Sequence, residues 1–373
     1  MNKLIVLLVV LVSLVATAVP VRRTVGIMGG SITQMENGYR PRFMKLMREK
    51  YPDVEFTEIA AGLSSTCSDT AAFRLEEDVL EKGVPDLFFI EEAVNDDQDG
   101  LFTYEQCIRG LEGVVRHVRA ANPACVIVIG LMVNKGEFET LKKGAIPIPY
   151  AAGRVVAARY GAAVADIGSA LVNSEKDGQL GWDEYKDCHP SDVGCDFVAK
   201  VVFESVCRAY DPKGRPVVRP MPEPLDPGSY SDGHVVPYEA LEEVRGWRES
   251  RPDWDRIPGN KARFFTQGKA IWSETAGASF KIRFTGRTLA ALLTAGPDAG
   301  ALEVSVDGGD FRHLELRQRF QPLHYPYTHI LADDLAAGEH IACVRLAVAE
   351  RKCGPCHAVR IHRLYVNGRP FAK

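Results

Sequence analysis

Thr24-Val25-Gly26-Ile27-Met28-Gly29-Gly30-Ser31-Ile32-Thr33 is the stretch whose reading decides how this chain folds. A short apolar, β-like run breaks into two glycines. The next residue is a serine whose hydroxyl would stand clear of the backbone at a strand end, which is where open α/β sheets place their chemistry. The glycines suit a turn that needs positive φ or a close approach of another backbone, where a Cβ would obstruct. Taken alone, Gly-Gly-Ser favours a plainer reading, a Gly-rich βα turn with an incidental serine or a phosphate cradle. The remainder of the chain decides between them.

After the opening strand, residues 41–50 carry Phe43, Leu46 and Met47 at helical spacing, with Pro41 tolerated in the first turn. Further strands are expected over 54–60, 86–94, 125–132 and 163–167, and helices over 68–81, 104–120, 148–160 and 191–208. The run Cys125-Val126-Ile127-Val128-Ile129 is apolar throughout, as a strand covered on both faces should be. Strands alternating with helices at this spacing predict a parallel sheet with helices on both sides and right-handed crossovers.

The character changes near Asp211. Pro212, Pro216, Pro220, Pro222, Pro224 and Pro227 mark 212–240 as a linker that is neither helix nor central strand. From 241 to 373 short runs alternate apolar with polar residues, as in Ser279-Phe280-Lys281-Ile282-Arg283-Phe284 and Leu302-Glu303-Val304-Ser305-Val306. Turn signals such as Asp307-Gly308-Gly309 separate them. This pattern predicts an antiparallel β-sandwich.

Composition narrows the function classes. The chain has 373 residues, 46% apolar and 25% charged, enough for two cores, and a formal net charge of -4 leaves no basic footprint for nucleic acid. Residues 1–18 read as a secretory signal peptide: Lys3, the apolar run from Leu4 to Val15, then Ala16-Thr17-Ala18. The run is too short to serve comfortably as a membrane anchor. A secreted or periplasmic protein with a first domain at 19–211 is expected. The nine cysteines are odd in number, so at least one is unpaired within the chain. Cys188 with Cys195, or Cys343 with Cys353 or Cys356, are the pairs to test. Cys353-Gly354-Pro355-Cys356 has the letters of a redox motif but no βαβ context, and reads as a hairpin turn or small disulfide.

Ser31, Gly62, Asn95 and His189 fall at or just beyond successive strand ends, which share one rim in a parallel sheet. Their types suit acyl transfer: a hydroxyl nucleophile, an imidazole to take its proton, and donors for an oxyanion. Those donors would be the backbone N–H groups of Ser31 and Gly62 and the side-chain amide of Asn95. Between Val19 and Asp211 the only other histidine is His117, which is expected on the solvated side of its helix.

The order Gly29-Gly30-Ser31-Ile32-Thr33, Gly62, Ala93-Val94-Asn95-Asp96 and His189-Pro190 resembles the SGNH/GDSL hydrolase family over about 25–207. The resemblance implies a flavodoxin-like three-layer α/β/α domain with Ser31 as nucleophile and His189 as general base. It also implies Ser31, Gly62 and Asn95 as oxyanion hole, and neither a metal nor an organic cofactor. The family places its orienting aspartate three residues before the histidine, where this chain has Lys186. Asp187 is then the third member, with Asp183 or a backbone carbonyl as the alternatives. Glu91 matches the family as a structural hydrogen-bonding group, and Asp96 should fix the loop presenting Asn95. Glu92 replaces a common phenylalanine, and a solvated or ion-paired carboxylate is expected.

Residues 241–373 resemble the jelly-roll or galactose-binding-like sandwiches attached to some carbohydrate esterases of this kind. Trp272, Tyr325 and Tyr327 are candidates for stacking on sugar or for packing. The combination implies an exported esterase acting on acylated, chiefly acetylated, carbohydrate. The alternatives are a glycan-binding protein with a degenerate hydrolase domain and a sugar O-acyltransferase using the same serine.

Overall fold

The computed structural model describes residues 20–262, 265–316, 322–351 and 354–371. The expected export segment and Cys353 lie outside them. Among the described residues no helix is long and apolar enough to cross a membrane.

Strands β1 (Val21–Gly29), β2 (Val54–Gly62), β3 (Leu87–Glu91), β4 (Val126–Leu131) and β5 (Ala163–Asp166) form one parallel sheet in the order β2-β1-β3-β4-β5. This is the flavodoxin-like order, and its reversal point beside β1 and β3 is where such sheets open a crevice. The helices are α1 (Ser31–Gln34), α2 (Tyr39–Lys50), α3 (Ser68–Leu75), α4 (Ala93–Asn95), α5 (Tyr104–Ala121), α6 (Lys135–Lys142), α7 (Ile148–Tyr160), α8 (Ile167–Lys176), α9 (Trp182–Tyr185) and α10 (Asp192–Ala209). Phe88, Ile90 and Ile129 point to a core shared with α3, α5 and α7. Leu87, Phe89 and Val128 point to the opposite core, shared with α2, α8 and α10. The sheet is therefore covered on both faces, which is why β3 reads as unbroken apolar sequence.

Several boundaries differ from the sequence expectation. The strand expected to run to 94 stops at Glu91, because the chain turns at once into α4. The helix expected over 68–81 is α-helical to Leu75 and continues as a π-helical turn from Glu76 to Leu80. Helices α6, α8 and α9 were not expected, being short and only partly apolar. Helix α6 does carry a legible start: Asn134 accepts from the Glu137 N–H, and Glu137 returns the bond to the Asn134 N–H, each at 2.9 Å.

The proline-rich stretch lies along the first domain. Arg116 donates to the Pro222 carbonyl, Arg159 to that of Glu223, and Glu112 accepts from the N–H groups of Leu225 and Asp226. Its end forms β6 (Gly233–Val236), which pairs with the last strand of the chain.

The second domain is built from β7 (Glu242–Arg245), β8 (Arg248–Ser250), β9 (Asn260–Lys261), β10 (Ala270–Ser273), β11 (Ser279–Ala295), β12 (Ala301–Val306), β13 (Arg312–Glu315), β14 (Leu323–Ala332), β15 (Gly338–Ala347) and β18 (Val359–Pro370). The small hairpin of β16 (Ala349–Arg351) and β17 (Gly354–Cys356) stands beside them. Pairing is antiparallel except for a two-residue parallel contact of β9 with β14. Strand β11 organises the sandwich. Its first half pairs with β15, its second half with β14, and β18 lies along its other edge.

The first half of β11 alternates as the sequence predicts, but residues 288–295 are buried on both faces. Leu289, Ala291 and Leu293 enter the sandwich core. Ala290 and Leu292 enter the core of the first domain, where Phe73 of α3 stacks against Tyr230 at 4.7 Å and Tyr365 at 5.5 Å. Burying large aromatic faces in this way is a principal source of interface stability.

The same junction covers His117. It is buried, with Nε2 3.1 Å from Glu76, and burial holds its pKa below the ordinary value. The solvated position expected for it is thus corrected: the ring faces His234 of β6, 6.1 Å away, where the proline-rich stretch joins the last strand. Tyr325 is core, while the Trp272 ring is covered by the Arg248 guanidinium at 3.6 Å. Cys188, Cys195 and Cys343 are free thiols.

Candidate active site

Strand β1 ends at Gly29, and Gly30 caps the single turn α1 that begins with Ser31. A residue in the first position of a helical turn has no intrahelical acceptor for its N–H. The Ser31 N–H is therefore available to an anion forming at its own side chain. Gly30 has an ordinary negative φ of -82°. Its requirement is for space, since a Cβ there would overlap the side chain of Asn95. Gly62 is its counterpart on β2, in register with Gly29, and a Cβ on it would overlap the backbone of Thr33 and Gln34. The close packing of these three segments brings the Ser31, Gly62 and Asn95 positions to one rim.

His189 arrives from the other end of the chain. The loop between α9 and α10 is closed at its base by the Ser191 N–H donating to the Tyr185 carbonyl at 3.0 Å, and Ser191 Oγ caps α10 by accepting from the Gly194 N–H. Lys186 takes a positive φ of 93°, which turns the chain between the end of α9 and His189. The result is a 2.7 Å contact between His189 Nε2 and Ser31 Oγ, across 158 positions of sequence.

The other edge of the imidazole has different neighbours. Asp187 Oδ1 accepts from the His189 backbone N–H at 2.6 Å and lies 3.9 Å from Nδ1, beyond hydrogen-bond length. Cys188 Sγ lies nearer, 3.5 Å from Nδ1. Asp183 sits in the first turn of α9 and makes no hydrogen bond to His189 among the described residues. No backbone carbonyl accepts from Nδ1 among them either.

Buried polar groups hold the rim. Asn95 Nδ2 donates to Asp99 Oδ2 at 2.7 Å, which fixes the amide orientation, because a carboxylate accepts only, and leaves the second N–H free to turn elsewhere. Asp96 Oδ1 accepts from the Ser68 N–H at the start of α3, tying the Asn95 turn to that helix; burial pushes its pKa up to about 8. Glu91 Oε1 accepts from both the N–H and the hydroxyl of Thr33, two residues past the serine, and the Thr33 hydroxyl also meets Tyr39 Oη at 2.8 Å. Burial raises the Glu91 pKa as well.

Glu92 departs from expectation. It is buried with both carboxyl oxygens unpartnered, and burial followed by the neighbouring Glu91 charge raises its pKa well above the ordinary range. A neutral acid inside the core replaces the solvated carboxylate anticipated from sequence, since ionising it there would cost several kcal/mol.

Sequence reasoning gave no role to Arg74 or Asp99. Arg74, fully buried on α3, donates from Nη2 to the carbonyls of Gly29 at 3.1 Å and Ala61 at 2.8 Å, and from Nη1 to Asp78 at 2.7 Å. It clamps together the ends of the two strands that carry Ser31 and Gly62. A single charge inside the otherwise apolar Ala71-Ala72-Phe73-Arg74-Leu75 is the signal that went unused. Asp99 lies in a run of acids with nothing to distinguish it.

The GDSL-like Lipase/Acylhydrolase family model matches residues 27–196. Two solved structures of a two-domain esterase (CEX) active on acetylated mannans, one co-crystallised with mannopentaose, superpose with TM-scores of 0.71 and 0.72. Each comparison covers 94% of this chain and 92% of that one, at 21% and 20% sequence identity, so the two-domain fold is shared. No curated protein matches the chain. Residues 27–196, most of the first domain, thus match the GDSL-like lipase and acylhydrolase family, the SGNH/GDSL hydrolases, and a β-sandwich domain follows them.

Proposed function

We propose that this chain is an exported serine esterase that removes acyl groups, chiefly acetyl, from carbohydrate through an acyl-serine intermediate. The observation that carries the reading is the 2.7 Å contact between Ser31 Oγ and His189 Nε2. Nε2 takes the hydroxyl proton as Oγ attacks the ester carbonyl, and the resulting oxyanion is met by the Ser31 and Gly62 N–H groups and by Asn95 Nδ2. His189 returns the proton to the departing sugar oxygen. Water, deprotonated by the same imidazole, then releases acetate from Ser31.

Asp187 acts here as a positioning residue. Its carboxylate holds the His189 backbone and lies close enough to favour the imidazolium electrostatically, with Nδ1 outside direct hydrogen-bond reach. Acetylated carbohydrate as the substrate class is supported by the shared fold with an esterase active on acetylated mannans. The test is hydrolysis of 4-nitrophenyl acetate and release of acetate from a panel of acetylated polysaccharides, with and without Ser31→Ala. Loss of both activities in the variant is expected. Equal rates in the two proteins would remove the enzyme reading and favour a binding role.

A further inference from the structure

We propose that Asp187, Cys188 and His189 form a site for a thiophilic divalent cation of the Zn2+ type, and that filling it switches off the Ser31–His189 couple. One carboxylate oxygen, the Cys188 sulfur and one ring nitrogen of His189 lie within 4.8 Å of one another. All three residues are at least partly open to solvent. The nitrogen concerned is Nδ1, because Nε2 is engaged with Ser31 on the opposite edge of the ring.

The spacing suits a tetrahedral ion. Zinc binds thiolate at about 2.3 Å and imidazole nitrogen at about 2.0–2.1 Å, so tetrahedral angles separate S and N by about 3.6 Å. The observed Sγ to Nδ1 distance is 3.5 Å. The carboxylate edge of such a site spans about 3.4 Å, against 3.9 Å here, a closure of half an ångström for a half-exposed aspartate. A sulfur and an imidazole favour zinc and its neighbours over Mg2+ or Ca2+, which take oxygen donors.

Occupancy acts on catalysis through the proton count of the ring. The resting base carries its proton on Nδ1 and keeps the Nε2 lone pair for the Ser31 hydroxyl. A cation at Nδ1 binds that nitrogen's own lone pair, which becomes free only when the ring proton leaves Nδ1 and, through solvent, takes up the Nε2 pair instead. The Cys188 thiol releases its own proton to solvent as the metal–sulfur bond forms. An Nε2–H facing Ser31 donates and cannot accept, so the serine loses its base. Neither oxidation nor reduction is involved. This consequence rests on His189 being the base for Ser31, whereas the binding site does not.

The experiment separates the two. Co2+ is titrated into the wild-type, Ser31→Ala and Cys188→Ala proteins, and the cobalt–thiolate charge-transfer absorption is recorded. Zn2+, Mg2+ and Ca2+ are titrated into 4-nitrophenyl acetate assays of the wild-type and Cys188→Ala proteins, each normalised to its own metal-free rate. The expected result is a one-equivalent cobalt–thiolate band in wild-type and Ser31→Ala but not in Cys188→Ala. Inhibition should come from Zn2+ alone, and the half-inhibiting concentration should rise about 100-fold or more in Cys188→Ala. No band in Ser31→Ala, or equal Zn2+ inhibition with and without Cys188, would overturn the site. A wild-type protein without esterase activity in the absence of metal would instead refute the catalytic reading and leave the cobalt titration as the measure of the site.

Discussion

The sharpest prediction concerns Asp187. In a triad whose aspartate is hydrogen-bonded to the histidine, neutralising that aspartate costs about 10⁴ in kcat. Here the carboxylate lies 3.9 Å from Nδ1, and the side chains of His189 and Asp187 are 48% and 53% exposed. Two unit charges at that separation attract by about 1–2 kcal/mol for an effective dielectric of about 40–80, between bulk water and the value of about 20 typical of pairs near a protein surface. We predict that Asp187→Asn, whose amide oxygen still accepts from the His189 N–H, lowers kcat for 4-nitrophenyl acetate by about 6- to 40-fold. KM should be nearly unchanged, because the charge matters only once the imidazolium forms. The wild-type advantage should shrink at high salt. A loss of 10³ or more would show that the loop closes during turnover to bring Asp187 onto Nδ1. An unchanged rate would show that another group stabilises the imidazolium.

Three other perturbations test separate parts of the structure. Gly30→Ala places a methyl group against Asn95; kcat should fall by about 10²–10³, as for loss of one oxyanion donor, with an unchanged far-ultraviolet circular dichroism spectrum, and wild-type turnover would refute the crowding. Phe73→Ala removes the ring packed between Tyr230 and Tyr365; urea unfolding should show a loss of about 3–5 kcal/mol, whereas a loss under 1 kcal/mol would mean the domains are held elsewhere. Burial raises Asp69 to about 6 and Asp96 to about 8. A carboxyl raised in the folded state binds more protons there than when unfolded, so its stabilisation is complete below about pH 4 and is lost as pH rises through 6 to 8. Asp69 should contribute a downward slope of about 1.4 kcal/mol per pH unit between about pH 4 and 6, and Asp96 the same slope between about pH 4 and 8. Asp96→Asn, which keeps an acceptor for the Ser68 N–H, should flatten the fall, and an identical pH profile would refute the assignment.

Much of the candidate site was legible because it comes from local pattern and sheet topology. Alternating strands and helices imply a parallel sheet, and a parallel sheet brings successive strand ends to one rim, so Ser31, Gly62 and Asn95 could be grouped without coordinates. His189 emerged as the remaining imidazole of its domain. The burial of Glu92 and His117 was not legible, because a charged or polar residue in a helix or strand gives no sign of which distant segment will cover it. The second half of β11 shows the same gap. Its residues 288–295 read as apolar on both faces, but only the assembled domains show that Ala290 and Leu292 leave the sandwich for the core around α3.

By itself the sequence determined two domains of different periodicity, a glycine-flanked serine at a strand end and a lone histidine to meet it, since these depend on contacts near in sequence or on the direction of a sheet. The tertiary structure alone decided that Asp187 holds the His189 backbone while the Cys188 sulfur lies nearest Nδ1, that Arg74 clamps two strand ends, and that the two domains share one aromatic junction. Those outcomes turn on loop curvature and side-chain packing over a few ångströms, quantities that residue spacing does not encode.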